Sequence, residues 1–207
     1  MLSRGRRGFL AAAAAFAVLG PRQPVAAQDP NERPATLARV EAYLNSITTM
    51  KASFLQVAST GDVAQGTFYM RRPGRLRIEY PPPSPALIVG DGHRLIYYDK
   101  ELKSANMMPI EDTLAGILVR ERVRLSGDIA VAAYRHEKGT VSITLRRKAE
   151  PEAGSLDLVF NDAPLRLRLW IVTDAHGTTT RVSLSDAEFG VQLSDELFTV
   201  PEEPQRQ

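Results

Sequence analysis

From Arg75 the chain alternates charged and apolar residues without a break: Arg75-Leu76-Arg77-Ile78-Glu79-Tyr80. At the two-residue period of a strand, Leu76, Ile78 and Tyr80 face one way and Arg75, Arg77 and Glu79 the other, which predicts one apolar and one wetted face. Pro73-Gly74 in front reads as a turn, and Pro81-Pro82-Pro83 behind, unable to donate ladder hydrogen bonds, ends the strand. The same period recurs along most of the chain. Lys51–Ala58 and Gln65–Met70 read as a hairpin about the turn Ser59-Thr60-Gly61-Asp62, and Ala86–Val89 and Arg94–Tyr98 as another about Gly90-Asp91-Gly92. Further strands are predicted at Val131–Tyr134, Val141–Arg146, Ser155–Phe160, Leu165–Val172, Thr179–Leu184 and Phe189–Leu193. The clearest alternation is Leu165-Arg166-Leu167-Arg168-Leu169, every second residue a leucine. Many short strands, each with one wetted face and joined by Gly, Pro and Asn-Asp turns, imply a mainly β chain built on a single strongly curved antiparallel sheet.

Two segments break the period. Leu37, Val40, Leu44 and Ile47 recur at helical spacing, predicting an amphipathic helix over Thr36–Ser46 with Thr36 as its N-cap. Glu111–Val119 places Leu114, Ile117 and Leu118 on one helical face, with Asp112 or Thr113 available as the cap. A helix this short must lie on something apolar, and the concave face or open mouth of the sheet is the sensible partner. Asn106-Met107-Met108-Pro109 reads as a flexible, sulfur-rich lead-in, and the polar stretch Gln28–Pro34 as loose.

The first residues read as an address. Arg4, Arg6 and Arg7 form a positive region, Phe9–Leu19 an apolar run too short to span a bilayer as a mature helix, and Val25-Ala26-Ala27 a small-residue cleavage site. Residues 1–27 are therefore expected to be a signal peptide and 28–207 one domain. Arg6-Arg7-Gly8-Phe9-Leu10 resembles the twin-arginine motif, although Gly5 and Ala11 depart from it, so twin-arginine export and general secretion both stay open. The segment holds four Arg and no acid, which leaves 22 basic against 24 acidic residues and turns a net charge of +2 into −2. The basic character thus belongs to the leader, and a nucleic-acid partner is not expected.

Candidate chemistry is sparse. Without cysteine there is neither a disulfide frame nor a thiolate site. His93, His136 and His176 stand at no metal-ligand or triad spacing and read as solvated loop histidines, while Gly154-Ser155 lacks the context of a nucleophile elbow. No enzyme, cofactor or metal is expected. An apolar inner face capped by helices suits binding something greasy, and equally a filled core.

Particular residues go further. Phe54-Leu55-Gln56, Gly66-Thr67-Phe68, the run Arg72-Pro73-Gly74-Arg75-Leu76-Arg77-Ile78-Glu79-Tyr80, Val89-Gly90-Asp91-Gly92 and Tyr97-Tyr98-Asp99 resemble the LolA family of periplasmic carriers of outer-membrane lipoproteins. Pro109–Leu118 resembles that family's lid helix, and Asp195–Pro201 its C-terminal strand. The resemblance implies an incomplete half-barrel of about eleven antiparallel strands, an N-terminal helix and lid helices over its mouth, and an apolar interior that takes acyl chains. It also implies acylated lipoproteins, an inner-membrane lipoprotein-releasing ABC transporter complex, and an outer-membrane receptor or the outer membrane itself as partners. Arg72 corresponds to the arginine that holds the lid closed and Leu76 to a cavity-lining position. Leu76 stands where the family carries an aromatic residue, and Ile78 where many members carry Trp. The expected lipid-binding surface comprises Phe54, Phe68, Met70, Arg72, Leu76, Ile78 and Tyr80 on the strands, with Met107, Met108, Leu114, Ile117 and Leu118 at the mouth. The competing reading is a module of the same shape that binds lipids or lipoproteins without shuttling them; a lipid-modifying hydrolase is the third.

Overall fold

The computed structural model describes residues 32–201; the expected signal peptide, residues 1–27, lies outside them. Strands β1 (Thr49–Ala58), β2 (Val63–Arg71), β3 (Arg75–Glu79), β4 (Ala86–Asp91), β5 (Arg94–Asp99) and β6 (Ser104–Pro109) follow one another as a meander. A second meander runs through β7 (Ile129–Glu137), β8 (Thr140–Arg147), β9 (Gly154–Asp162), β10 (Leu165–Asp174) and β11 (Thr179–Phe189). Antiparallel pairing of β1 with β11 joins them into one eleven-stranded open sheet with β6 at one edge and β7 at the other. Leu95, Tyr97 and Met108 from the β6 side line one cavity together with Arg147, Gly154 and Val172 from the far side. The sheet therefore curls round on itself without closing.

Alternation explains most of the sheet, and its failures have local causes. In Leu165–Leu169 the register slips between Leu167 and Leu169, a bulge that spoils the expected single face. Trp170 and Val172 join the inner core in place of Leu169. The Met107-Met108 segment is not a loose lead-in but the regular strand β6. The Asp99 carboxylate accepts from the amides of Glu101 and Leu102 at 2.9 and 2.8 Å, fixing the turn that folds the segment back on β5. Phe189–Leu193 is not a separate strand, because β11 continues to Phe189, opposite Met50, and leaves the sheet at Gly190 with φ +70°.

Helix α1 (Glu32–Ser46) begins a turn earlier than expected, so Glu32, Arg33 and Pro34 are helical rather than loose. Proline is tolerated in a first turn because its missing N–H would lack an intrahelical partner anyway. Thr36, expected as the cap, is instead buried within the helix beside the core residues Val40 and Leu44. Tyr43 sets its ring edge-on to Phe160 at 5.9 Å and accepts from the Leu167 amide at 3.0 Å. His136 is not a solvated histidine: its ring nitrogens meet the carboxylates of Glu32 and, at 2.9 Å, Asp162, which also accepts from Arg39 at 2.9 Å. Helix α1 is thereby pinned to the β9–β10 side of the sheet.

The outer face of β3, expected to be wetted, is covered. After Gly190 the chain crosses it, and the segment likened to a C-terminal strand forms a 3-10 turn at Asp195–Phe198. Arg71 donates to the Leu193 carbonyl at 2.8 Å and lies over the Phe198 ring at 4.9 Å, while Arg77 donates to the Leu197 carbonyl at 3.2 Å. Val200 packs on Leu87, Val89 and Tyr98, a small second core. Arg77, which alternation turned outward, thus holds a backbone carbonyl rather than facing water.

Two outcomes test this account. Phe160 is fully buried, so Phe160→Ala is expected to lower the unfolding free energy by about 3–5 kcal/mol in a denaturant titration. The hydrogen bonds to Glu32 and then Asp162 raise the pKa of His136, and the bond from His136 lowers that of Asp162. A raised histidine contributes stability that is complete below its unfolded pKa of about 6.5 and lost as pH rises through the folded value. The lowered Asp162 contributes above the free carboxylate range and loses its share only in acid. Amide exchange in the first two turns of α1, corrected for intrinsic rates, is expected to quicken as pH rises above the unfolded histidine value of about 6.5 and to lose that step in His136→Gln. A step of the same size in the variant would show that the histidine does not hold the helix.

Candidate functional site

The inner faces of β1, β2 and β3 are built as cross-strand rows. Met70 lies opposite Met50 and Leu76, and Phe68 opposite Ala52 and Ile78, with Ile88 continuing the second row. Phe68 meets Trp170 at 5.3 Å, and Phe54 meets the edge of Tyr80 at 5.4 Å. The Tyr80 hydroxyl donates to Gln56 Oε1 at 2.9 Å, so its polar end is satisfied, while burial raises its pKa. Phe54, Phe68, Met70, Leu76, Ile78 and Tyr80 therefore share one apolar layer with Leu114, Ile117 and Leu118 from the other side.

Those last three stand on α2 (Leu114–Val119), the lid. Thr113 caps it by accepting from the Gly116 amide at 2.9 Å. Gly116 is required here, since a Cβ would come within 2.0 Å of the Ile110 carbonyl oxygen. The expected helix over Glu111–Val119 thus resolves into a 3-10 turn at Ile110–Asp112 followed by α2.

Polar contacts fasten the lid at both ends. At its C-terminal end Arg72 Nη1 donates to the Arg120 carbonyl at 2.7 Å, and the Gly74 amide to the Val119 carbonyl, also at 2.7 Å. The β2–β3 turn thus satisfies two carbonyls that the helix leaves unpaired. Burial lowers the Arg72 pKa to about 10, which leaves it charged at neutral pH, and its Nε has no partner. Arg120 grips Asp128 with two bonds, 3.0 and 2.7 Å. At the N-terminal end Arg147 on β8 donates to the carbonyl of Asp112 and, at 3.2 Å, to its carboxylate. Beyond the lid, Asn45 of α1 pairs with the backbone of Val123 in both directions, at 2.9 and 2.8 Å.

Beneath Leu118 of α2 there is little space. A cavity of about 10 Å³ lies among Met50, Phe68, Met70, Arg72, Leu118, Leu167 and Trp170, with Leu44 and Ile47 from the α1 side. At the mouth a larger cavity of about 280 Å³ is lined by Tyr97 and Met108, by Leu114 and Ala115 of the lid, and by Arg147 and Val172 opposite. A further hollow of about 1000 Å³ is an open groove on the outer side of β1, β2 and β11, where Ser53, Thr67, Ser183, Glu79 and Lys100 mix with Leu55.

Of the residues expected at the site, Met107 stands apart: the ladder pairs it with Ile96 and Met108 with Leu95, so the two methionines point to opposite faces. Arg147, Asp112, Met50 and Trp170 belong to the site without having been singled out. Trp170 was hidden by the bulge. Arg147 carried no local signal, since its partner Asp112 lies 35 residues away in the chain.

The model of the family described as "Outer membrane lipoprotein carrier protein LolA" matches residues 45–201. An outer-membrane lipoprotein carrier protein of Methylococcus capsulatus is 26% identical over 169 residues, 78% of this chain and 81% of that protein. Those of Legionella pneumophila and Bordetella pertussis are each 29% identical, over 168 and 176 residues, covering 77% and 79% of this chain and 82% of each relative. A LolA superfamily structure from Nitrosomonas europaea aligns with 79% of this chain and 97% of its own at 12% identity and a TM-score of 0.48. With the family model spanning α2, the β2–β3 turn that holds its C-terminal end and all eleven strands in full, the chain belongs to the LolA family of outer membrane lipoprotein carrier proteins.

Proposed function

We propose that this protein carries acylated lipoproteins across the periplasm, taking them from the lipoprotein-releasing transporter of the inner membrane and yielding them at the outer membrane. The acyl chains occupy the inner face of the sheet once the lid α2 has moved. The observation that carries this reading is a six-residue helix fastened at both ends by hydrogen bonds over an apolar layer, with about 280 Å³ free beside Leu114 at the mouth and only about 10 Å³ beneath Leu118. A cavity of about 10 Å³ is the size of one water probe, so lipid reaches the inner face beyond the mouth only by displacing the helix.

Magnitudes favour such an exchange. Moving three apolar side chains into water costs roughly 5–9 kcal/mol, and each buried methylene of an acyl chain returns roughly 0.8 kcal/mol. Roughly six to eleven methylenes offset the lid, so one long acyl chain suffices to open it. The polar latch then tunes release, because its bonds form only in the closed, empty state.

Native mass spectrometry of protein isolated from the periplasm is expected to find triacylated lipoprotein bound one to one; a bare protein with lipid-hydrolase activity would overturn the reading. Arg72→Leu removes a charged hydrogen bond of roughly 1.5–3 kcal/mol from the closed state. It is therefore expected to hold lipoprotein roughly tenfold to a hundredfold more tightly and to slow transfer to outer-membrane vesicles correspondingly. Arg147→Gln loosens the other end of the lid and is expected to act in the same direction; transfer at the unaltered rate in both variants would remove the latch from the mechanism.

A further inference from the structure

The two edges of the sheet are built differently. On β7 the register slips between Val131 and Ala133, Arg33 of α1 reaches over to the Val131 carbonyl at 3.5 Å, and Arg135, His136 and Glu137 end the strand with charge. Bulges, covering groups and charges are the devices by which an edge is kept from pairing with another chain. Strand β6 has neither bulge nor charge, and its one such device is Pro109 at its very end, with Arg94 of β5 reaching only the Met107 sulfur at 3.6 Å. Its register against β5 is unbroken, Ser104–Met108 carries no charge, and all six residues of the strand are exposed. Among the described residues no strand lies on its outer side. This open edge adjoins the mouth, since Met108 lines the 280 Å³ cavity and the lid segment begins directly after Pro109.

We infer that the edge of β6 is a docking strand for the extended polypeptide that follows the acylated residue of a bound lipoprotein. The inference rests on the carrier reading above. A lipoprotein bears its acyl chains on its N-terminal residue, so with those chains under the lid the next residues emerge at the mouth beside β6. A strand of six residues, roughly 20 Å long, then offers its unpaired main-chain groups to them. Strand addition draws affinity from the backbone of the partner rather than its side chains. It therefore suits a carrier whose clients share an acylated N-terminus and differ beyond it. The edge would also keep the emerging segment from pairing elsewhere during transit.

The test uses the mature protein and two synthetic triacylated lipopeptides, one with two residues after the acylated cysteine and one with about twelve, read by probe displacement and amide exchange. The longer peptide is expected to bind about tenfold more tightly, the equivalent of one or two net hydrogen bonds, and to slow exchange in Ser104–Met108. A long peptide N-methylated at alternate residues is expected to bind like the short one and leave β6 unprotected. Equal binding of long and short peptides without protection of β6 overturns the inference and leaves the carrier reading standing. Failure of both to bind overturns the carrier reading instead. Protection of β6 that rises with protein concentration in the absence of lipid, together with a dimeric mass, would assign the edge to a second copy and also overturn the inference.

Discussion

Strands β6 and β7 are consecutive in the chain and lie at opposite edges of the sheet. Residues 110–128 must therefore bridge the open side, and the bridge cannot avoid lying across the apolar inner face. The lid is thus a consequence of connectivity, not an addition to the fold. Closing the sheet by pairing β6 with β7 would abolish both edges. Leaving it open imposes an apolar surface that something must cover, and the short helix α2 covers it with few residues and a few directional bonds.

Those bonds are divided between two materials with different consequences. Leu114, Ile117 and Leu118 supply non-directional burial, which an acyl chain replaces methylene for methylene. Arg72, Gly74 and Arg147 supply hydrogen bonds that no acyl chain can make. In the carrier reading proposed above, the first kind of contact governs the entry of lipid and the second favours return to the closed state.

Much of this was legible in the sequence because one-sided burial writes itself as alternation. The positions of ten strands, the N-terminal helix and the short helix α2 were readable from period alone, and Leu76, Ile78 and Tyr80 share the inner layer as their spacing implied. What stayed hidden lies where distant segments meet. Arg77 of β3 looked wetted because nothing local announces that Leu197 arrives more than a hundred residues later to accept its hydrogen bond. His136 looked solvated because Glu32 and Asp162 come from two other elements. The bulge before Leu169 was invisible for a different reason: the run of alternating leucines and arginines fits an unbroken strand equally well. Arg72 was found through likeness to a family, and its partner, a carbonyl, has no sequence at all.

The seam between β1 and β11 has an implication for how the molecule comes into being. Each meander is assembled from neighbours in the chain, so its pairings close small loops and are entropically cheap. The seam joins Met50 to Phe189 and Phe54 to Leu184, and it lies in the middle of the sheet on which the helices rest. A chain made from its N-terminus can form one meander, then the other, but the sheet is whole only when the last strand has arrived. Until then the inner face of β1 to β3 is without the strands that complete its cradle, so the inner layer is finished only when β11 pairs with β1.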